Sequence, residues 1–378
     1  SEFGEYDRSL KLYERAYEIS KEIYGESNPH TVKIVNNLAT IYARCGREDE
    51  GISLLESAYD TQCDLFGEKH SDSISYLENL ATIHFQFGDK EKSISLFEKL
   101  CSLKCELSQE KSKDTLLYLD YISYACDELG EREKKLDADR RKYEISLEMY
   151  GEENPETLRH INNYATDIRH IDPERAIMLM EKVYCLRCKL IGEEDPKTVT
   201  SLGNLITMYS DGGRHDKSLP LSKKLYQIRI RTHGKDAPET LHALHCLAVD
   251  YMFSRKYEKA LEIMVKAYVM RCRVLGEDDP ETVKSLDFIK SMCKVAAEAK
   301  GMTLLEKTYV TLVGHLGKHH ACMLVLLPEF ALICLDCGNR KMGITFHERL
   351  YDLYLNLFGI FDEVTVNQRQ LLDFLKSR

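Results

Sequence analysis

Eight glycines return along this chain at a nearly constant interval: Gly25, Gly67, Gly151, Gly192, Gly234, Gly276, Gly317 and Gly359. Successive spacings are 42, 84, 41, 42, 42, 41 and 42 residues, and the doubled gap after Gly67 places one degenerate copy near Ser108-Gln109. A period of this length points to a stacked array, in which each unit buries its apolar face only against its neighbours. Four boxes are complete: Gly25-Glu26-Ser27-Asn28-Pro29, Gly151-Glu152-Glu153-Asn154-Pro155, Gly192-Glu193-Glu194-Asp195-Pro196 and Gly276-Glu277-Asp278-Asp279-Pro280. In each, Gly supplies the left-handed position that ends one helix. Asn28, Asn154, Asp195 and Asp279 then stand where a side-chain oxygen caps the next helix, and the following Pro suits its first position. Glu156, Glu239 and Glu281 favour the positive end of the helix dipole. The box is a helix–helix hinge; it has neither the preceding strand nor the Lys-Ser/Thr of a phosphate-binding loop.

Between boxes, each period carries two helical patterns and a short turn, as in 31–45, then Gly46-Arg47-Glu48-Asp49, then 50–66. In the first helix Val35, Leu38, Ala39 and Tyr42 recur at helical spacing, matched by Leu77, Leu80, Ala81 and His84 and by Leu202, Leu205, Ile206 and Tyr209. In the second, Leu55, Ala58 and Tyr59 correspond to Phe97, Leu100 and Cys101.

These residues resemble a tetratricopeptide repeat in its long form, the version found in kinesin light chain. The most specific stretches are Tyr24-Gly25-Glu26-Ser27-Asn28-Pro29-His30-Thr31 and Asn36-Asn37-Leu38-Ala39-Thr40-Ile41-Tyr42, repeated less perfectly at Asn162-Asn163-Tyr164-Ala165 and Asn79-Leu80-Ala81. The resemblance implies an all-α, right-handed α-solenoid of stacked antiparallel helix pairs. Residues 1–3 read as a cloning scar and 4–378 as a single superhelix of about eight full helix pairs, with a half repeat at each end. On this reading the chain is a fragment of a larger protein. The pattern departs at 107–115, where Gly and Pro are lost, and at 294–301, where Lys294 to Gly301 replace a clear turn; stacking is expected to be irregular there.

Composition narrows the function. The longest apolar run, Cys322–Leu327, is far too short to span a bilayer, so no membrane insertion is expected. Thirteen irregularly placed cysteines read as small buried hydrophobes in a reducing compartment, which places the protein in the cytoplasm. Cys185/Cys188 and Cys334/Cys337 lie too far apart in an array to share a zinc ion, and His315, His319, His320 and Cys322 read as loop residues; no metal or cofactor is expected. Without a nucleophile elbow, a His-Glu-x-x-His helix or a nucleotide fingerprint, the chain is not expected to be an enzyme. A net charge of −10 argues against nucleic acid. Arg187/Lys189, Arg229/Arg231 and Arg271/Arg273 recur with the period and read as cations that complement helix C-termini and the acidic boxes.

Function is therefore sought on the faces of the first-type helices, which line the concave groove in the family resembled. With Leu38, Leu80, Tyr164, Leu205 and Leu247 as the core column, the groove set is Lys33, Asn36, Asn37, Thr40 and Arg44, then Asn79, then Tyr121 and Tyr124. Arg159, Asn162, Asn163, Thr166, Arg169 and His170 follow, and then Asn204, His242 and His245. Asn37, Asn79, Asn163 and Asn204 form one column of carboxamides, able either to pair with an extended peptide backbone or to hold repeats in register. The expectation is a scaffold binding a protein or peptide; the alternative is a regulatory arm of a larger bacterial signalling NTPase or protease. Cys322–Leu327, Leu371-Leu372 and Phe374-Leu375 read as core caps, with self-association through the C-terminal helices as the other reading.

Overall fold

The computed structural model describes residues 2–26, 28–107, 109–300 and 302–377. Ser1 of the expected scar, Ser27 of the first box, Ser108 at the degenerate boundary and Gly301 lie outside the described residues. The chain divides into two compact units, Ser1–Leu186 and Arg187–Arg378. In the first unit the helices are α1 (Glu2–Tyr24), α2 (Pro29–Arg44), α3 (Glu48–Phe66), α4 (Ser71–Phe87), α5 (Lys90–Glu106), α6 (Lys113–Leu129), α7 (Arg132–Tyr150), α8 (Pro155–Ile168) and the start of α9 (Pro173–Ile191). The second holds the end of α9 with α10 (Pro196–Asp211), α11 (His215–His233), α12 (Pro238–Phe253), α13 (Tyr257–Val274), α14 (Pro280–Lys300), α15 (Thr303–Leu316), α16 (Cys322–Asp336), α17 (Arg340–Phe358) and α18 (Glu363–Ser377). Among the described residues all regular structure is helical. Even-numbered helices are the first of each pair and odd-numbered helices the second, and within each unit most successive helices pack on one another, with α15 also packing on α13 and α16 on α14, which makes an all-α repeat solenoid.

The boxes fold as hinges. Asn28, Asn154, Asp195 and Asp279 each accept a hydrogen bond from the N–H two residues on, at 3.0, 2.9, 2.8 and 2.9 Å. The box glycines do have positive φ, but where they cap a helix their ψ is extended: Gly67 sits at φ 84°, ψ 160° and Gly151 at φ 78°, ψ 174°. That region is more restricted to glycine than the left-handed helical one expected. A hydroxyl absent from the sequence reasoning closes three of the hinges. Thr31, Ser73 and Thr240, all buried, donate to the carbonyls of Gly25, Gly67 and Gly234 at 2.8, 2.9 and 2.7 Å, so the turn carbonyl is satisfied without water.

Each unit has its own core. Leu55, Leu77, Leu80, Phe97, Leu100, Leu119 and Ile122 interlock in the first. Leu247, Met264, Val265, Leu305, Leu326, Phe330 and Phe346 do so in the second. Complete burial of such a side chain contributes about 1.5–3 kcal/mol. Helices cross closely where the second helix carries a small residue: a Cβ on Gly51 would stand 2.7 Å from the Ala39 carbonyl oxygen. The two expected irregularities differ. At 107–115 the pair α6/α7 is regular, with Ser112 capping α6 by accepting from the Thr115 N–H at 3.2 Å. At 294–301 α14 runs on to Lys300, 21 residues in all, and α15 is shortened to 14.

Candidate partner-binding face

The core column is buried throughout, and the residues beside it reach the surface to different degrees. On α2, Lys33, Asn37 and Arg44 are exposed, with Asn36 and Thr40 half-buried. On α4 and α6, Asn79 and Tyr121 are half-buried and Tyr124 is exposed. On α8, Asn163 is exposed and Arg159, Asn162 and Thr166 are half-buried, and just after its end Arg169 is half-buried and His170 exposed. In the second unit Asn204 and His245 are half-buried and His242 is exposed. The carboxamide column therefore presents Asn37 and Asn163 openly and Asn79 and Asn204 in part.

Several of these groups are committed within the fold. Thr40 and Thr166 donate to the carbonyls of Asn36 and Asn162, four residues back, at 3.0 and 2.8 Å. Arg159 does not stand as a spare cation: it donates to Glu156 at 2.9 Å and to Asp120 at 3.3 Å, and Asp120 also accepts from the buried Lys142 at 3.0 Å. Burial, together with Arg159, lowers the His160 imidazole to about 4. Arg169 donates to the ring of its neighbour His170 at 2.9 Å. His245 lies tilted against the Phe288 ring at 5.2 Å; burial lowers it to about 4, so it is neutral near pH 7.

The structure adds what the sequence reading missed, an aromatic cleft around Tyr121 and Tyr124. It encloses about 610 Å³ between α4, α5 and α6. Tyr121 is its floor, stacked on the core ring of Phe97 at 4.8 Å and 8°, and Phe85 meets Tyr121 edge-on at 4.8 Å. Lys90 lies 3.9 Å from the centroid of Phe85 and 3.0 Å from Glu128. Leu117, Tyr124 and Phe87 stand around the cleft 51%, 57% and 38% exposed. Three large apolar side chains exposed about one concavity form the kind of patch that marks an interaction site. The missed signal was local: Phe85 and Phe87 stand at the end of α4, where aromatic residues had no core column to join.

The other sequence features stay within the scaffold. Arg231 donates to Glu194 and Lys224 to Glu193, facing the acidic box as expected, but Arg187 and Arg271 are buried and donate to carbonyls of the next helix. All thirteen cysteines are free thiols. His320 pairs with Glu277 at 3.0 Å and the ring of His319 contacts the Asn356 amide. Among the described residues no group of three His, Cys, Asp or Glu is placed to hold a metal, and no helix is long and apolar enough to cross a membrane. Cys322, Met323, Leu326 and Leu327 lie in the core, as does Leu372, whereas Leu371 and Phe374 are exposed.

Models of the tetratricopeptide repeat match residues 1–30, 31–106 and 197–273. No curated protein matches the chain. Solved structures with similar folds include the nearly identical TPR-like repeats of a putative kinesin light chain from Podosopora anserina, at 18% identity and TM-score 0.45, covering 55% of this chain and 98% of that one. BtubC (BKLC) from P. vanneervenii is 19% identical with TM-score 0.44, covering 61% and 91%. The apo form of the quorum sensor NprR from B. thuringiensis is 13% identical with TM-score 0.41, covering 93% and 97%. With its helix pairs repeating at the glycine period and the repeat model matching in both units, the chain belongs to the tetratricopeptide repeat family, in its long form, a family of typically non-enzymatic protein-interaction scaffolds.

Proposed function

We propose that the first unit holds an extended segment of a partner protein across the faces of α4, α6 and α8. An apolar or aromatic side chain of that segment seats between Phe85, Leu117, Tyr121 and Tyr124, and the carboxamides of Asn79 and Asn163 bond its backbone on either side. The observation that carries this reading is the exposure of Leu117, Tyr124 and Phe87 around one cleft. Burying such side chains against a partner recovers apolar area that the fold leaves wet, and aromatic anchors of this kind dominate interface energetics. A carboxamide both donates and accepts, so Asn79 and Asn163 suit a strand of any sequence. Specificity then comes from the cleft. Arg159 and Lys142 are spent on Asp120, so acidic character in the partner contributes little at this site.

The test selects random peptides, long enough to span two repeats, on the intact chain. Selected peptides are expected to share an apolar or aromatic anchor, and Tyr124→Ala combined with Leu117→Asp to weaken them about tenfold or more. Both positions are exposed, so the variant keeps the fold. Peptides that bind the variant as tightly as the native chain would sink the cleft assignment.

A further inference from the structure

The second unit contains a broken lock. Arg187, Arg229 and Arg271 stand at one position of three successive repeats, on α9, α11 and α13. Arg187 donates to the Lys197 carbonyl at 2.9 Å and to the Ser201 hydroxyl at 2.6 Å. Arg271 does the same one period on, donating to the Glu281 carbonyl at 3.0 Å and to the Ser285 hydroxyl. Each serine donates in turn to the carbonyl four residues back, at 3.1 and 3.0 Å, which fixes its lone pairs toward the guanidinium. Both arginines are thereby sealed in, 6% and 2% exposed. In the middle repeat the serine position is occupied by Ala243. Arg229 is half-buried and has no hydrogen-bond or ion-pair partner among the described residues, and together with Ala243 it lines an open pocket of about 620 Å³.

A guanidinium in such a place attracts an anion strongly, because the apolar walls of Val199, Ile206 and Leu225 lower the local dielectric, and of the two carboxylates in the lining Glu281 is paired with Lys284 at 2.7 Å and lies 3.7 Å from Arg271, while Glu239 is at the exposed rim. The volume suits a small ligand, and most of the wall is hydrocarbon. Glu239 at the exposed rim repels a second negative charge, which favours a planar monoanion over phosphate. His242, also at the mouth, offers a further donor. We propose that this pocket binds a monoanionic organic carboxylate carrying an apolar body, held through the fork of Arg229, and that the exchange of serine for Ala243 is what leaves Arg229 open to it. The site is independent of the aromatic cleft of the first unit.

Calorimetry on the full chain tests this with two probes, octanoate and N-acetyl-leucyl-glutamate methylamide, each against its uncharged amide counterpart. At least one carboxylate is expected to bind about tenfold or more tightly than its amide. A preference confined to octanoate assigns a small-molecule ligand, and one confined to the dipeptide assigns an acidic side chain. Ala243→Ser supplies the missing lock without altering charge, and is expected to abolish the preference, as is Arg229→Gln. Glu239→Gln is expected to enlarge it. Equal binding of carboxylate and amide to the native chain overturns the proposal, as does a carboxylate preference that survives in both Ala243→Ser and Arg229→Gln, with circular dichroism confirming that each variant is folded.

Discussion

Asp167 in the first unit and Asp250 in the second occupy the same place in their repeats, three residues after the core residues Tyr164 and Leu247, yet the fold treats them in opposite ways. Asp250 is 2% exposed and surrounded by hydroxyl donors: Ser218 donates to it at 2.7 Å, Ser210 at 3.0 Å and Ser222 closer still, with the His215 ring at 3.4 Å. Asp167 receives Lys135 at 3.0 Å but also shares a hydrogen bond with a second carboxyl, Asp139, itself engaged by Ser123 and Lys142. Burial first, then the Asp139 contact, raises Asp167 to about 6 against the opposing pull of Lys135. Hydroxyls solvate a buried charge without bringing charge of their own. A neighbouring carboxylate instead makes the site hold a proton.

The largest expected effect is therefore in the second unit. Asp250→Ala strips α10, α11 and α12 of the acceptor that joins them and leaves buried hydroxyls unpaired, a loss of about 3 kcal/mol in urea unfolding. A loss below about 1 kcal/mol would mean that the serines rebond to helix carbonyls and that Asp250 is no hub.

Asp167 sharpens the contrast through pH. Its folded pKa lies above the unfolded value, so the folded state holds the proton more tightly; that stabilisation is complete below about pH 4 and is lost as pH rises through 6. Asp167→Asn removes the penalty of ionisation, and the difference in stability between variant and native chain is expected to shift in favour of the variant by about 2 kcal/mol between pH 4 and 7. Thermal melts of both proteins across that range check it; parallel profiles would show that Asp167 ionises normally. His245 in the second unit runs the other way. Burial lowers its folded pKa to about 4, the unfolded ring takes up a proton below about 6.5, and stability is lost as pH falls through that window. His245→Gln is expected to be relatively more stable at pH 5 than at pH 7, by about 1 kcal/mol after allowing for its partial exposure. The same acidification thus strengthens one buried site and weakens the other.

How much of this was legible in the sequence depends on how far each interaction reaches along the chain. The hinges were readable because Gly, Asn or Asp, and Pro act within five residues. The core columns were readable because burial repeats with the helix period. The commitment of Arg159 was not, since Asp120 lies a whole repeat away, and a groove column shows which face a residue occupies but not what it has already bonded. Asp250 was invisible for the same reason: its hydroxyls come from 28, 32 and 40 residues off. The aromatic cleft fell between columns, with Tyr121 and Tyr124 read as groove residues and Phe85 and Phe87 not read at all. Arg229 was within reach of the sequence, because the Ser201, Ala243, Ser285 column sits in register with Arg187, Arg229, Arg271, but the two columns inform only when read as pairs.

The smallest effect divides the hydroxyls around Asp250. Ser222 is buried at 1% exposure, so removing its donor leaves a carboxylate oxygen with no water to replace it. Ser210 is half-buried and bonds the other oxygen, which also accepts from Ser218. Ser222→Ala is expected to cost about 1.5 kcal/mol, in line with a hydrogen bond to a charged group, and Ser210→Ala about 0.5 kcal/mol or less. Equal losses measured by urea unfolding would mean that water reaches both oxygens alike, and Asp250 would then be solvated as Asp167 is in part, by the surface and not by the fold.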